Sequence, residues 1–246
     1  YITQDISVGI VFKSLGIELE ELKDLLPKVN GLVVRSATKP NQEFVDAAPE
    51  LKYIIRAGAG YDTIDVAAAS SLGISVANCP GKNSIAVAEL AWGLILSCDR
   101  RIPDQVSALR AGTWAKKEYS NASGLFGRTL GIVGLGGIGL EVMKRAQSFG
   151  MNVVAWSRSL SDERATAIRI VWCKTLQELA EMSDVVSVHV ASSHDTENLI
   201  DEQFLSSMRD NAIFVNTSRG KVVDESALVK AVQTKQLRVG LDVYEN

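Results

Sequence analysis

The sequence predicts an α/β fold, a doubly wound parallel sheet covered by helices on both faces. Three observations predict it. Strand-like apolar runs and helical segments alternate along the whole chain, the pattern of parallel strands joined by helical crossovers. Gly134, Gly136 and Gly139 space out G-x-G-x-x-G directly after the apolar run 130–133. The next residues have helical period, with Ile138, Val142, Ala146 and Phe149 on one face, until Gly150 stops the helix and 152–156 reads as the next strand.

Taken in order, strands are predicted at 7–12, 31–35, 51–56 and 74–77, with helices at 18–26, 42–48 and 64–72. The breaker cluster 78–83 (Asn-Cys-Pro-Gly-Lys-Asn) reads as an interdomain hinge. A helix at 84–99 is too apolar for a simple surface position and is expected between domains or in a subunit interface. Beyond it, strands are predicted at 130–133, 152–156, 169–172, 184–189, 212–216 and 238–244, and helices near 175–181, 201–208 and 225–234. That set makes a complete Rossmann-type dinucleotide-binding domain. The expected division is residues 1–79 and residues 80–246.

Bulk properties narrow the function classes. The chain has 246 residues, 46% hydrophobic content and a net charge of −3, which argues against nucleic acid or an anionic membrane as main partner. No apolar run is long enough to span a bilayer, and no signal peptide opens the chain. Cys79, Cys98 and Cys173 are isolated, as expected for small buried side chains in a reducing cytoplasm. With only His189 and His194 present, no metal site is expected. The chain lacks an initial methionine and stops after a strand-like run, so it is expected to be a fragment.

The glycine spacing carries the chemistry. Gly134 permits a tight turn, Gly136 lets backbone approach a pyrophosphate, and Gly139 lets helix pack on strand. Gly137 and Ile138 open the helix, whose N-terminal amides and dipole favour an anion. At the end of the second strand, where an acid bonds the ribose in NAD-binding domains, stands Ser157, followed by Arg158 and Ser159. An acid about 4 Å from a 2′-phosphate would repel it by about 4 kcal/mol at an effective dielectric near 20. Its absence, with Arg158 as a charge-assisted partner, favours NADP or dual use slightly over NAD alone.

Six stretches, GLVVRSATK at 31–39, RAGAGYDTID at 56–65, NSIAVAE at 83–89, GRTLGIVGLG at 127–136, VNTSRG at 215–220 and GLDVY at 240–244, occur in one order. Together they resemble the D-isomer-specific 2-hydroxyacid dehydrogenases, and within them the phosphoglycerate-oxidising branch. The resemblance implies a flavodoxin-like substrate domain, here incomplete, beside an inserted cofactor domain with a dimer-forming helical arm at 83–115. It implies hydride transfer between nicotinamide and a D-2-hydroxy or 2-oxo acid. Arg219 would clamp the carboxylate and polarise the carbonyl. Gly58, Ala59 and Gly60 would offer amides to the carboxylate, and Asn83 would lie at the cleft. Arg35 and Ser36 would meet a substrate phosphate, as for 3-phosphoglycerate on the route to serine. His189, Thr217 and Ser218 would border the cofactor, and Asp242 would face the nicotinamide amide.

Alternatives remain within and beyond that family: glyoxylate or hydroxypyruvate reduction, erythronate 4-phosphate oxidation, or an NAD(H)-sensing corepressor. The resemblance also implies that an orienting glutamate and a histidine or lysine acid/base follow Asn246. The chain alone is then expected to bind dinucleotide without turning over substrate. Two positions depart from the family pattern. Gly137 stands where many relatives carry a longer polar side chain, and Ala191-Ser-Ser193 replaces a Pro-Leu-Thr-like stretch.

Overall fold

The computed structural model describes residues 24–35 and 38–245. The strand expected at 7–12, most of the helix expected at 18–26, and Ser36 lie outside the described residues. The chain clusters into two compact units, Tyr1–Lys82 and Asn83–Asn246. The division falls at the end of the breaker cluster, three residues beyond the boundary expected after residue 79.

In the first unit, β1 (Gly31–Val34), β2 (Tyr53–Arg56) and β3 (Ser75–Ala77) lie parallel in the order β1-β2-β3. Two short helices, α1 (Gln42–Asp46) and α2 (Val66–Ser71), begin on side-chain caps. The Asn41 amide oxygen accepts the Phe44 N–H at 3.0 Å, and an Asp65 carboxylate oxygen accepts the Ala68 N–H at 2.9 Å. Both helices bury an apolar edge, with Phe44, Val45, Ala68 and Ala69 packed with Val34 and Ile54.

The second unit opens with α3 (Ser84–Arg100) and α4 (Ile102–Arg110), separated by Arg101 in the left-handed region. Then follow β4 (Thr129–Val133), α5 (Gly137–Ser148), β5 (Asn152–Trp156), α6 (Asp162–Ala167), β6 (Val171–Trp172), α7 (Leu176–Met182), β7 (Val185–Val188), α8 (Glu202–Ser207), β8 (Ile213–Asn216), α9 (Glu225–Lys235) and β9 (Arg238–Leu241). Its six strands are all parallel in the order β6-β5-β4-β7-β8-β9. The chain winds outward from β4 in one direction, returns, and winds outward from β7 in the other. This is the doubly wound sheet, and its switch point lies between β4 and β7.

Side-chain alternation explains why both faces are covered. Leu130, Ile132, Val185, Ile213 and Val215 point to the layer of α3 and α5. Val133, Val186, Val188 and Phe214 point to the layer of α7, α8 and α9. A sheet buried on both faces reads as continuous apolar runs, and these strands do.

Several elements differ from expectation. One face of α3 (Ala88, Ala91, Trp92, Ile95) packs inside its own unit, while Ile85 and Leu90 of the same helix stay exposed. The Trp92 indole N–H donates to the Val142 carbonyl at 3.2 Å, and the ring stacks on Phe149 with centroids 4.6 Å apart. Asp99, at the end of the same helix, is buried 3.4 Å from Arg128 and 3.9 Å from Arg238, which spares it the cost of an unpaired buried charge. Helix α6 escapes the apolar pattern because only Ala165 of it is buried. The strand expected at 169–172 shrinks to two residues because Arg169 has φ 59°. The strand expected at 238–244 stops at Leu241 because its partner ladder ends at Asn216. Of the cysteines only Cys173 is buried, and burial pushes its thiol up to about 11; Cys79 and Cys98 are half-buried. Among the described residues, no helix is long and apolar enough to cross a membrane.

Candidate dinucleotide and carboxylate site

The site gathers at the carboxyl ends of β4, β5, β7 and β8. The turn from β4 into α5 begins at Gly134, whose φ of 95° disfavours any side chain. A Cβ there would also lie 2.7 Å from the His189 carbonyl oxygen. The Gly134 N–H donates to the Trp156 carbonyl at 2.8 Å, locking the turn to the end of β5. Gly139 is buried one turn into α5, where a Cβ would stand 2.3 Å from the Gly134 carbonyl oxygen. These two glycines shape the turn itself.

Gly136 differs. It caps α5 with ordinary extended dihedrals, is exposed, and a Cβ on it would meet nothing within 4 Å. Its bareness therefore serves no internal contact. It leaves open the space in front of the first amides of a 12-residue helix, which suits a pyrophosphate. The residues present fit a dinucleotide on this ground. Gly137 has a different cause: its Cβ would sit 2.9 Å from the Ser84 hydroxyl, so the start of α3 fills the space a longer side chain would need. Ile138 is half-buried against the α3–α5 layer.

Ser157 is half-buried beyond β5, and its carbonyl accepts the Leu160 N–H at 3.1 Å. Ser159 gives its carbonyl to Arg164 at 3.0 Å. Arg158 is exposed and lies 3.3 Å from Asp195, in the segment after β7. No local pattern in the sequence signals that partner, because the two positions are 37 residues apart.

His189, just past β7, is buried with hydroxyls on both ring nitrogens, Ser187 at 2.8 Å from Nε2 and Thr217 at 3.4 Å from Nδ1. Burial pushes its pKa down to about 4. An unfolded histidine titrates near 6.5, so between pH 6.5 and 4 only the unfolded chain takes up the proton. Stability is therefore full above pH 6.5 and falls with acid, by about 3 kcal/mol at pH 4. Denaturant titrations from pH 7 to pH 4 should show that loss in the native protein relative to His189→Gln. Parallel pH profiles for the two would refute the assignment.

The turn after β8 is built by Asn216, a residue to which the sequence alone assigns no role. Its side-chain oxygen accepts the Ser218 N–H (2.9 Å) and hydroxyl (2.7 Å), and its amide donates to the Arg219 carbonyl (3.0 Å). An asparagine directly after an apolar strand is the signal for such an Asx turn. Thr217 and Ser218 are thereby turned inward, their hydroxyls spent on His189 and Asn216. Arg219 is half-buried, and its Nη1 donates to the Ser218 carbonyl at 2.7 Å. Gly220 permits the main chain at Tyr244 and Glu245 to cross closely, a Cβ there lying 2.6 Å from the Tyr244 carbonyl carbon. Asp242 is exposed, and its N–H donates to the Asn216 carbonyl at 3.1 Å.

Of the other candidates, Arg35, Gly58, Ala59 and Gly60 belong to the first unit and Asn83 opens the second. Arg35 is exposed past β1. Gly58, Ala59 and Gly60 follow β2, held by Cys79 N–H to the Gly58 carbonyl (3.0 Å) and the Asn78 amide to the Ala59 carbonyl (2.7 Å). The Gly58 N–H turns back onto the Arg56 carbonyl at 2.8 Å, so a ligand would have to share it. Asn83 caps α3 with its backbone alone.

The family described as D-isomer specific 2-hydroxyacid dehydrogenase, NAD binding domain, matches residues 92–246. The chain is 39% identical over 239 residues to a D-3-phosphoglycerate dehydrogenase of Methanocaldococcus jannaschii, covering 97% of this chain and 45% of that one. It therefore spans about half the length of that relative. It is 42% identical over 230 residues to a hydroxypyruvate reductase of Thermotoga maritima, covering 93% and 74%. Among solved structures, a D-lactate dehydrogenase from Aquifex aeolicus complexed with NAD and lactic acid superposes with a TM-score of 0.80 at 33% identity, covering 91% and 67%. With the doubly wound sheet and glycine turn in place, the chain belongs to the D-isomer specific 2-hydroxyacid dehydrogenase family.

Proposed function

We propose that the protein moves a hydride between a nicotinamide dinucleotide and a D-2-hydroxy or 2-oxo acid. The observation that carries this is Arg219, set by the Asn216 turn at the same sheet edge as the glycine turn, two strands away. A guanidinium there can grip a carboxylate bidentately and draw charge from the adjacent carbonyl. When bound, the nicotinamide supplies or accepts the hydride. Gly136, Gly137 and Ile138 would face the pyrophosphate on the turn that Gly134 and Gly139 shape, Ser157, Arg158 and Ser159 would hold the adenosine ribose, and Asp242 the carboxamide. His189, with both ring nitrogens engaged and kept neutral, supports the cofactor floor and is not the acid/base.

The substrate we favour is 3-phosphoglycerate with its oxo acid, with hydroxypyruvate or glyoxylate as the second choice. The D-3-phosphoglycerate dehydrogenase relative supports the first and the Thermotoga maritima relative the second. Arg35 and Ser36 would bind the phosphate, and Gly58, Ala59, Gly60 and Asn83 the rest of the acid. Dual use of NAD and NADP is favoured because Ser157 replaces the usual acid. Dimerisation through the arm at 83–115 is supported by α4, which buries no residue and exposes Ile102, Val106 and Leu109 on one face.

Fluorescence titration with NADH and NADPH is expected to show saturable binding of both. Turnover of the full-length gene product with phosphohydroxypyruvate, hydroxypyruvate and glyoxylate then ranks the substrates, the phosphorylated acid first. If neither dinucleotide bound saturably, the proposal would fall.

A further inference from the structure

We infer that Asp195 sets the choice between NAD and NADP by holding Arg158. The inference rests on the dinucleotide reading above. Arg158 stands two residues beyond β5, whose last residue bonds the glycine turn through the Trp156 carbonyl. Asp195 stands beyond β7, on the opposite side of β4. Their 3.3 Å pair therefore reaches over the carboxyl end of β4, from the segment that would take the adenosine ribose to the loop after β7.

The Asp195 loop is built, and not merely exposed. Thr196 is buried, and its hydroxyl donates to the Ala191 carbonyl at 2.7 Å and accepts the Ser193 N–H at 2.8 Å. The network closes the segment that departs from the family pattern at Ala191-Ser-Ser193 and turns Asp195 outward to Arg158. Ser157 leaves β5 without the acid that normally rejects a 2′-phosphate; Asp195 returns a carboxylate to that neighbourhood from a different strand. It competes with the phosphate for the guanidinium that the phosphate would need. The side chains are 68% and 74% exposed, so the pair adds little to stability and its removal leaves the fold intact.

The test is equilibrium binding of NADH and NADPH to the unaltered protein and to Asp195→Asn, Arg158→Gln and the double variant. Asp195→Asn is expected to tighten NADPH about tenfold at low salt, with NADH moving less than about twofold, and the gain should shrink as salt rises. Arg158→Gln should weaken NADPH, and in the double variant the gain should vanish, since the two residues act as one unit. A NADPH/NADH ratio unmoved by Asp195→Asn, or a gain that survives loss of Arg158, overturns the inference while leaving the dinucleotide site standing. Failure of the unaltered protein to bind either dinucleotide overturns both.

Discussion

Gly139→Val is expected to cost roughly 3 kcal/mol of stability and to remove dinucleotide binding, whereas Gly136→Ala should fold normally and lose binding alone. The contrast arises from what each missing side chain makes room for. At position 139 even a methyl would press to 2.3 Å from the Gly134 carbonyl oxygen and to 3.3 Å from the Ile132 side chain. Neither the turn nor β4 can retreat, because the Gly134 N–H is bonded to the Trp156 carbonyl and Ile132 is fully buried. Helix α5 must move away from the sheet, and its first amides leave their aim. At position 136 a methyl meets nothing in the protein, so the stability change should stay within about 0.5 kcal/mol. The same methyl stands where a pyrophosphate must approach, and an NADH affinity loss of about 10–100-fold is expected, the equivalent of one or two charge-assisted hydrogen bonds. Thermal unfolding and NADH titration of both variants read the two effects separately. A Gly136→Ala protein that binds NADH as the native protein does would show that the glycine turn is not the cradle.

Arg219→Gln is expected to lower the affinity of the protein–NADH complex for a small 2-oxo acid about 10–100-fold while leaving NADH affinity within about threefold. Glutamine can keep a hydrogen bond to the Ser218 carbonyl but offers no charge and no planar fork. The Asn216 turn is closed by backbone and hydroxyl groups that the substitution does not touch, so the loop should survive. Quenching of bound NADH fluorescence by the oxo acid measures the loss directly. Arg219→Lys should recover only part of it, because a point charge cannot reproduce bidentate geometry. Equal oxo acid affinity in the native and Arg219→Gln proteins would remove Arg219 from the carboxylate role.

What the sequence alone settled is local. The glycine spacing after β4, the helical period of α5 and its stop at Gly150, and the apolar runs of β4, β5, β7 and β8 are all short-range patterns. They predict elements because dihedral freedom and side-chain periodicity act over a few residues. The boundary of β9 failed because a neighbouring strand decided it, the strand ending with its ladder at Leu241.

The tertiary structure decided which distant groups meet. The burial of His189 between two hydroxyls, the filling of the Gly137 space by Ser84, the packing of α3 into its own unit and the Arg158–Asp195 pair each join residues far apart in the chain. Periodicity says which face of an element is buried but not which element it is buried against. That depends on strand order, and the reversal between β4 and β7 is what brings the loop after β7 over the turn after β4.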